Sequence, residues 1–490
     1  MTANSTTSTR ERSYDVVVVG AGPNGLAASV IFARAGLSTL LVEAQPTIGG
    51  GTRSEGLTLP GYVHDVCSTV HPLALASPFF STLGLERYGV SWVQPPCPVA
   101  HVLDDGRAVT LERSVAETAA QFGRAGPYYR RIFGRFTERF QPLLEMVLGP
   151  LRYPSRPQLF ADFGLFALRS LRGFAGAHLP DVGASALFAG IGAHAMLPLE
   201  LPATASFGLV LQLAGHAVGW PLVQGGSQVV SAALLAQLVE AGGELLTGFR
   251  VSNLRELPRA RAYVLDIGPK QLLALAGERL PSSYRARLER FRFGPGVFKM
   301  DWALSAPIPW RDAACARAGT VHLAGDLAAV ARAEAAVHRG RLEERPFVIL
   351  VQPTLFDPSR APAGKHVAWA YCHVPHGSTI DASVAVEAQI ERAAPGFRDT
   401  VLARSTRTAS EMEAYNPNYV GGDINGGVSD IGQLFFRPMA KLDPYATADP
   451  SLFLCSSSTP PGGGVHGMCG YWAAASVLRR VFQRPPPALA

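Results

Sequence analysis

The residues with the clearest chemical potential form a glycine-rich turn near the N-terminus. The turn runs from Gly20 to Gly25 with the sequence GAGPNG, and the apolar stretch from Asp15 to Val19 precedes it. Gly20 allows a tight turn, Gly22 lets the backbone approach a ligand, and Gly25 lets the next helix pack closely on the strand. Free N–H groups at the start of that helix attract negative charge. The pattern therefore predicts a pyrophosphate site.

The elements around the turn form one complete βαβ unit. A helical stretch follows from Leu26 to Ala35, and a second apolar strand, Ser38 to Val42, ends at Glu43. An acid about 20 residues beyond such a turn is placed to accept hydrogen bonds from ribose hydroxyls. The unit predicts a dinucleotide site rather than a glycine turn without a ligand. It does not by itself separate FAD from NAD(P).

The segment after Glu43 separates these two dinucleotides. It reads IGGGTRS from Ile48 to Ser54, and the acid followed by a glycine pair resembles the second fingerprint of two-dinucleotide-fold FAD enzymes. In those enzymes the glycines bring backbone close to the FAD pyrophosphate. Thr52 and Arg53 are candidates to support it, and NAD-only dehydrogenases usually lack this extension. The sequence therefore favours FAD.

A second glycine-rich segment lies near the C-terminus. The apolar stretch from Ser451 to Cys455 predicts a buried strand, and the sequence PPGGGVHG follows from Pro460 to Gly467, before a helical run that ends at Phe482. Three consecutive glycines offer a row of unhindered backbone N–H groups, which suits an anion or an electron-rich ring edge. We therefore interpret this segment as the site for the flavin end of the cofactor.

Together with Gly225-Gly226-Ser227, these segments resemble the phytoene-desaturase-related FAD-dependent oxidoreductases of the flavin amine oxidase/desaturase superfamily. The stretches Tyr371–Pro375 and Asn416–Ile424 resemble the "pyridine nucleotide-disulfide oxidoreductase domain 2" subgroup. The resemblance implies FAD as cofactor. It also implies an α/β fold, with a Rossmann-type FAD-binding domain of the two-dinucleotide-fold (glutathione reductase-like) kind and a discontinuous α+β substrate domain.

The resemblance further implies how the chain is divided. Residues 14–75, 221–275 and 440–484 would form the FAD-binding domain, and residues 76–220 and 276–439 the substrate or cap domain. Residues 1–13 are expected to be a disordered tail, and residues 485–490 a second tail. The predicted cofactor-binding residues are Gly20, Gly22, Pro23, Asn24, Gly25, Glu43, Ala44, Gly50, Gly51, Thr52, Arg53, Val251, Ser457, Gly464, Val465 and His466. Ser457 lies where many relatives carry a Gly-Asp pair whose acid contacts the ribityl chain or a phosphate of FAD. Here a serine hydroxyl would replace that acid.

The expected reaction is a dehydrogenation or desaturation in which a hydrophobic or conjugated small molecule gives a hydride to flavin N5. Two residues are candidates for catalysis. Lys299, on a strand-like stretch, resembles the lysine that contacts flavin N5 through water in amine oxidases, although it could instead be an exposed lysine paired with Asp301. His466 could act as an acid or base or be structural. An amine or alcohol oxidase using oxygen and a redox-neutral isomerase remain as alternatives.

Composition limits the other classes of function. The six cysteines form no CxxC pair and no cysteine–histidine group has zinc spacing, so we predict no metal site, reduced thiols and a cytoplasmic location. No stretch is long and apolar enough to span a bilayer. The net charge of +6 is concentrated between Arg124 and Arg172, which hold nine arginines and three acids, but no nucleic-acid motif accompanies them.

The arginine-rich segment allows two interpretations. Phe133, Phe136 and Phe140 lie on one helical face. Opposed basic and apolar faces are typical of a helix on a membrane surface, so peripheral membrane contact through Arg124–Arg172 is one interpretation. An ordinary amphipathic helix packed on its own domain is the other, and we favour it. The sequence does not indicate an oligomeric state.

Overall fold

The computed structural model describes residues 12–489, so the predicted tail 1–13 lies almost wholly outside the described residues. In this range the strands are β1 (Tyr14–Val19), β2 (Thr39–Val42), β3 (Ser54–Glu55), β4 (His64–Asp65), β5 (Trp92–Val93), β6 (Cys97–Val102), β7 (Ala108–Leu111), β8 (Leu222–Val223), β9 (Glu244–Leu246), β10 (Ala260–Leu265), β11 (Gly296–Leu304), β12 (Ala318–Leu323), β13 (Val348–Val351), β14 (His366–Val374), β15 (Val401–Arg407) and β16 (Leu452–Leu454).

The helices of the same range surround two main sheets. They are α1 (Pro23–Arg34), α2 (Pro72–Leu75), α3 (Val115–Ala120), α4 (Gly126–Tyr129), α5 (Arg135–Thr137), α6 (Phe140–Val147), α7 (Pro157–Ala167), α8 (Leu171–His178), α9 (Val182–Gly192), α10 (Ala205–Ala217), α11 (Gln228–Glu240), α12 (Pro269–Ala276), α13 (Ser282–Leu288), α14 (Ala314–Arg317), α15 (Leu327–His338), α16 (Ser383–Ala393), α17 (Phe397–Thr400), α18 (Ala409–Tyr415), α19 (Ile431–Leu434) and α20 (Met468–Val481). Short 3-10 turns cover Gly50–Thr52, Phe80–Thr82, Leu85–Tyr88, Gly123–Ala125, Ala193–Ala195, Leu254–Glu256, Gly277–Arg279, Pro353–Leu355, Pro358–Arg360 and Val420–Gly422, and a π turn covers Arg130–Gly134.

The first sheet has five parallel strands in the order β16-β10-β1-β2-β9. The β-branched run of β1 is almost wholly buried, as a parallel sheet covered on both faces requires. Helix α1 begins at Pro23, a residue whose fixed φ suits the first helical position. Helix α20 packs so tightly on the start of α1 that a Cβ on Gly470 would overlap the carbonyl of Asn24.

The second sheet has seven strands in the order β15-β11-β14-β13-β12-β6-β7. Its neighbouring strands are antiparallel except β6 and β12, which run parallel. All nine residues of β11, which lies between the edge strand β15 and β14, are buried. The chain therefore has a mixed α/β fold that contains a parallel sheet.

The arginine-rich segment is broken into several short helices. The π turn at Arg130–Gly134 interrupts the regular helix between α4 and α5. Phe133, Phe136 and Phe140 are all buried, so the apolar face predicted from the sequence packs on the protein itself. Among residues 12–489, no helix is long and apolar enough to cross a membrane.

Candidate active site

A cavity of about 1070 Å³ lies between the two sheets and reaches both glycine-rich segments. Its wall includes the turn that follows β1, the backbone at Val251, the residues after β16, and side chains from α7, α10, β13 and β14. The carboxyl ends of parallel strands are the usual place for ligands in open α/β sheets. The cavity is therefore where the sequence predicts a dinucleotide.

The glycine-rich turn is built as the predicted site requires. A Cβ on Gly25 would overlap the carbonyl oxygen of Gly20, so only glycine allows α1 to begin this close to β1. Gly50, from the second glycine segment, faces the same turn, and its Cβ would lie 3.0 Å from the Cα of Gly22. Two bare backbone segments thus face each other at the start of α1. This arrangement fits the pyrophosphate of FAD, which needs backbone N–H groups without side chains in the way.

Glu43 and Arg53 form a buried ion pair beside this turn. Their closest atoms, Oε1 of Glu43 and Nη2 of Arg53, are 3.2 Å apart. The other carboxylate oxygen of Glu43 accepts a hydrogen bond from the backbone N–H of Ala21 at 2.8 Å. Both residues line the cavity. One pair of opposite charges therefore lies where the sequence predicts the ribose and the pyrophosphate.

The opposite end of the cavity is formed by the residues after β16. Ser456, Ser457 and Ser458 line it, as do Gly463 to Val465. Ser458 Oγ donates to the carbonyl of Gly426 at 2.8 Å, whereas no hydrogen bond from the Ser457 hydroxyl is recorded among the described residues. The serines that replace the Gly-Asp pair of relatives therefore lie on the cavity wall.

The structure brings most of the predicted cofactor residues together on this wall. Those that line the cavity are Gly20, Gly22, Pro23, Asn24, Glu43, Ala44, Gly50, Gly51, Arg53, Val251, Ser457, Gly464 and Val465. Gly25, Thr52 and His466 do not. Gly25 lies behind the turn, and the hydroxyl of Thr52 is used by the carbonyl of Gly49 and by Ser231. Gly25 and Thr52 thus shape the site from behind.

His466 makes a hydrogen bond within the chain, at the start of α20. Its Nδ1 accepts a hydrogen bond from the backbone N–H of Met468 at 3.0 Å, at the start of α20. Burial lowers the pKa of His466 to about 4, so the ring is neutral. The residue is not among those that line the cavity. A catalytic role for His466 stays a prediction.

Lys299 is buried beside the cavity wall rather than on it. Its Nζ donates to the carboxylate of Asp301 at 2.6 Å, and both side chains are buried. Its Nζ also lies 5.5 Å from the centroid of the Trp369 ring, which lines the cavity. Burial raises the pKa of Asp301, and the ammonium of Lys299 opposes that rise. Of the two readings of the sequence, the structure shows the lysine paired with Asp301, but buried rather than exposed. Flavin contact by Lys299 stays a prediction.

An aromatic wall lies between the two ends of the cavity. The rings of Trp369 and Tyr371, on the same face of β14, are stacked with centroids 5.6 Å apart and planes 9° apart. Both line the cavity. Sequence reasoning did not single out these two residues as a pair. Their i, i+2 spacing in a strand, which places both side chains on one face, was the available signal.

His194 is an ionisable residue on the wall near the flavin end. Its carbonyl accepts a hydrogen bond from the side chain of Asn425 at 3.3 Å, and Asn425 packs against Gly463. Nε2 of His194 lies 3.3 Å from Nε2 of His322. Burial lowers the pKa of His194 to about 3. The structure therefore places His194 on the cavity wall.

A third histidine, His101, lies next to His322. His322 is the register partner of His101 on the neighbouring strand, and Nε2 of His101 donates to the carbonyl of Gly325 at 2.6 Å. Burial lowers the pKa of His101 to about 4 and that of His322 further. The three rings are therefore neutral, and Nε2 of either His194 or His322 can be the donor in the contact between them.

Comparison with known proteins agrees with this geometry. Residues 15–72 match the family described as "FAD dependent oxidoreductase". A hydroxyneurosporene desaturase from Cereibacter sphaeroides is 32% identical over 151 residues, which cover 30% of this chain and 30% of that protein. The solved cyclohexylamine oxidase from Brevibacterium oxydans has the same fold, with a TM-score of 0.59 at 15% identity, covering 96% of this chain and 100% of that one.

The cavity, the glycine-rich turns and these matches define the chain as an FAD-dependent oxidoreductase. Along nearly its whole length it is homologous to "Pyridine nucleotide-disulfide oxidoreductase domain-containing protein 2" of Rattus norvegicus. The two are 27% identical over 552 residues, which cover 95% of this chain and 93% of the rat protein.

Proposed function

We propose that this protein is a dehydrogenase or desaturase that oxidises a hydrophobic or conjugated small molecule. The observation that carries the proposal is the apolar lining of the cavity beyond the two glycine-rich segments. There the wall is formed by aliphatic and aromatic side chains from four elements, namely Phe160, Phe163, Phe207, Val210, Leu211, Ile349, Val351, Trp369 and Tyr371. Such a wall binds an apolar molecule and excludes water.

The residues of the chain and the cofactor divide the chemistry between them. FAD bound in the cavity would supply the redox step by accepting a hydride. The stacked Trp369 and Tyr371 offer a flat surface that suits a planar conjugated substrate. His194, with its neutral ring on the wall, can hydrogen-bond to the bound substrate and orient it, and the proton that the oxidation releases leaves to solvent.

We also propose that the parallel sheet is the FAD-binding domain of the two-dinucleotide-fold, glutathione reductase-like, kind. The support is the order of β1, the glycine turn, α1 and β2, with Glu43 hydrogen-bonded to the turn. The division into 14–75, 221–275 and 440–484 against 76–220 and 276–439 belongs to the same proposal. β1, β2, β9, β10 and β16 fall in the first set, and the seven-stranded sheet in the second.

An amine or alcohol oxidase is the second candidate. Fold similarity to an amine oxidase favours it, and the residue that supports it, Lys299, is paired with Asp301 beside Trp369 of the cavity wall. A redox-neutral isomerase is the third. The three candidates differ in what they do to the bound flavin, so one anaerobic experiment separates them.

We expect apolar alkenes and polyenes to bleach the flavin absorbance of the purified holoprotein under anaerobic conditions, and primary amines to leave it unchanged. Val210→Asp, which puts a charge on the cavity wall, is expected to slow bleaching about tenfold or more because an unpaired charge opposes apolar binding. The matched control is Val239→Asp, since Val239 is exposed on α11. Stopped-flow absorbance measures both rates.

Other outcomes would contradict the dehydrogenase. Bleaching by amines, with peroxide formed on admission of air, would identify an oxidase. A flavin that no substrate bleaches, with isomers formed only after the flavin is reduced beforehand, would identify an isomerase.

We further propose that the cavity opens toward an anionic membrane surface. The support is a group of exposed apolar side chains beside the cavity, namely Leu151 (60% exposed), Tyr153 (87%), Leu165 (72%) and Leu168 (49%). Leu151 and Leu168 line the cavity itself. The exposed Arg156 and Arg169 lie on the same segment. Apolar side chains flanked by arginine suit the headgroup region of a bilayer.

We expect the protein to float with vesicles that contain anionic lipid, and 0.5 M salt, roughly a 4 Å Debye length, to release it. Tyr153→Asp with Leu165→Asp should weaken binding about tenfold, because both changes remove apolar contact and add repulsion. The matched control, Val384→Asp, changes an exposed valine on α16, outside the segment from Leu151 to Leu168. Binding that ignores salt, or a double variant that floats like the control, would exclude this surface.

A further inference from the structure

The carboxylate of Asp266 lies against the glycine-rich turn. Asp266 is the first residue after β10, the strand beside β1, and it lines the cavity. Its Oδ2 accepts a hydrogen bond from the backbone N–H of Gly25 at 3.0 Å. The same oxygen lies 2.9 Å from the point that a Cβ on Gly22 would occupy. The carboxylate thus lies where the backbone must approach the pyrophosphate.

Asp266 has no basic partner among residues 12–489. Its carboxylate accepts a hydrogen bond from the N–H of Gly25, and its backbone carbonyl accepts one from the side-chain amide of Asn418. The titratable groups around it come from three other elements. Glu43 lies at the end of β2, Cys455 follows β16, and Cys469 is in α20. None of these groups brings a positive charge.

Two carboxylates therefore bind the N–H groups of the turn. Glu43 takes the N–H of Ala21, and Asp266 takes that of Gly25. Glu43 is compensated by Arg53, whereas Asp266 is not compensated. A pyrophosphate adds negative charge at the same place, and like charges at close range in a cavity with few counterions repel strongly.

We propose that Asp266 is a cofactor-binding residue that takes up a proton when FAD binds. In the neutral form its hydroxyl can donate a hydrogen bond toward the cofactor, and the repulsion disappears. Loading of the protein with FAD is then coupled to pH, independently of which substrate the enzyme oxidises.

The environment of Asp266 favours this uptake. Burial raises the pKa of Asp266 to about 7, the N–H of Gly25 opposes the rise, and the charge of Glu43 adds to it. The pyrophosphate raises this pKa further in the complex. Because the complex then holds more protons than the free protein, FAD affinity falls as the pH rises above about 7. The limiting slope is about tenfold per pH unit.

The test is a titration of FAD-free protein with FAD at pH 6, 7, 8 and 9, followed by flavin fluorescence. The dissociation constant of the wild type is expected to be flat below pH 7 and to rise by up to about tenfold per unit above it. Asp266→Asn should bind FAD about 100-fold more tightly than the wild type at pH 9, with no pH dependence. Calorimetry at pH 8 in two buffers of different ionisation enthalpy should show uptake of about one proton by the wild type and none by the variant.

The matched control is Asp423→Asn. Asp423 is another buried carboxyl whose pKa burial raises, but backbone N–H groups at Gly294, Asn425 and Gly427 hold it outside the glycine turn. This variant should keep the pH dependence. A wild-type affinity that is flat from pH 6 to 9, or an Asp266→Asn variant that keeps the slope, overturns the proposal. If both Asp266→Asn and Asp266→Ser fail to fold, the proton count of the wild type still decides. Because the test needs no substrate, its result is separate from that of the proposed function.

Discussion

Replacing His194 with asparagine is expected to slow substrate oxidation by up to about 100-fold, the cost of a small misplacement of the reacting molecule. His194 lines the cavity near its flavin end, and its Nε2 faces His322. Its ring can therefore contact a bound molecule and orient it. Asparagine keeps a polar side chain but places its polar atoms differently from those of the imidazole ring. The bleaching rate of the flavin with the most reactive alkene measures the effect.

The pH dependence gives a second readout for His194. Because burial lowers its pKa to about 3, the ring stays neutral throughout the neutral range and acts by contact rather than by taking up a proton. The rate should therefore show no titration of this group between about pH 6 and pH 9, and a loss of rate in the variant that depends on pH in that range would contradict this role.

The matched control for this change is His216→Gln. His216 is also a buried histidine, and its Nε2 is hydrogen-bonded to the hydroxyl of Tyr129 at 2.7 Å, away from the cavity wall. This control should keep the rate. A His194→Asn protein that carries full FAD and bleaches at the wild-type rate would show that the reaction does not depend on this ring.

Gly25→Ala is expected to weaken FAD binding by about 10- to 100-fold, the equivalent of the 1–3 kcal/mol that overpacking costs. A Cβ at Gly25 would overlap the carbonyl oxygen of Gly20 and lie 3.2 Å from the Cβ of Asp266. The start of α1 must then move away from β1, and the N–H groups of the turn move with it. Flavin content after purification and an FAD titration measure the loss.

Gly134→Ala is the matched control for this change. Gly134 is a helical glycine with no atom within 4 Å of the position that its Cβ would take, and alanine favours helix. This variant should bind FAD as the wild type does. Equal loss in both variants would mean that the effect is one of general stability rather than of the turn.

The cofactor end of the site could be predicted from the sequence because its information is local. A strand, a glycine turn, a helix and a second strand follow one another between Tyr14 and Val42, and each step has its own residue pattern. The second glycine segment at Gly50 then needs only to fold back over Gly22. Backbone geometry of this kind depends on glycine and proline, which the sequence shows directly.

The catalytic end could be predicted only in part. The sequence did offer the pairing of Lys299 with Asp301, two residues away on the same face of β11, but it did not show that the pair is buried. The contact of the His466 ring with the N–H of Met468 is equally local, and neither contact shows which side chain reaches a bound flavin. Asp266 was missed because its importance comes from the pairing of β10 with β1, across more than 200 residues.

The cap region shows a further limit of pattern reading. Phe133, Phe136 and Phe140 predicted one continuous apolar helical face. The π turn at Arg130–Gly134 breaks that helix, yet all three side chains are buried. The exposed apolar side chains lie further along, from Leu151 to Leu168. Periodicity identified a buried face, and only the tertiary packing shows which apolar residues remain outside.

The FAD site has a consequence for the biogenesis of the protein. One end of the site comes from the turn at Gly20–Gly25 and the other end from Ser456–Val465. Strand β16 precedes this second end and pairs only with β10 in the parallel sheet. During translation the first βαβ unit emerges long before the second end exists. The nascent chain can thus offer a phosphate-binding turn early but cannot enclose the flavin until Val465 has left the ribosome. Cofactor insertion is therefore a late maturation step, and a chain interrupted before β16 is released without a closed flavin site.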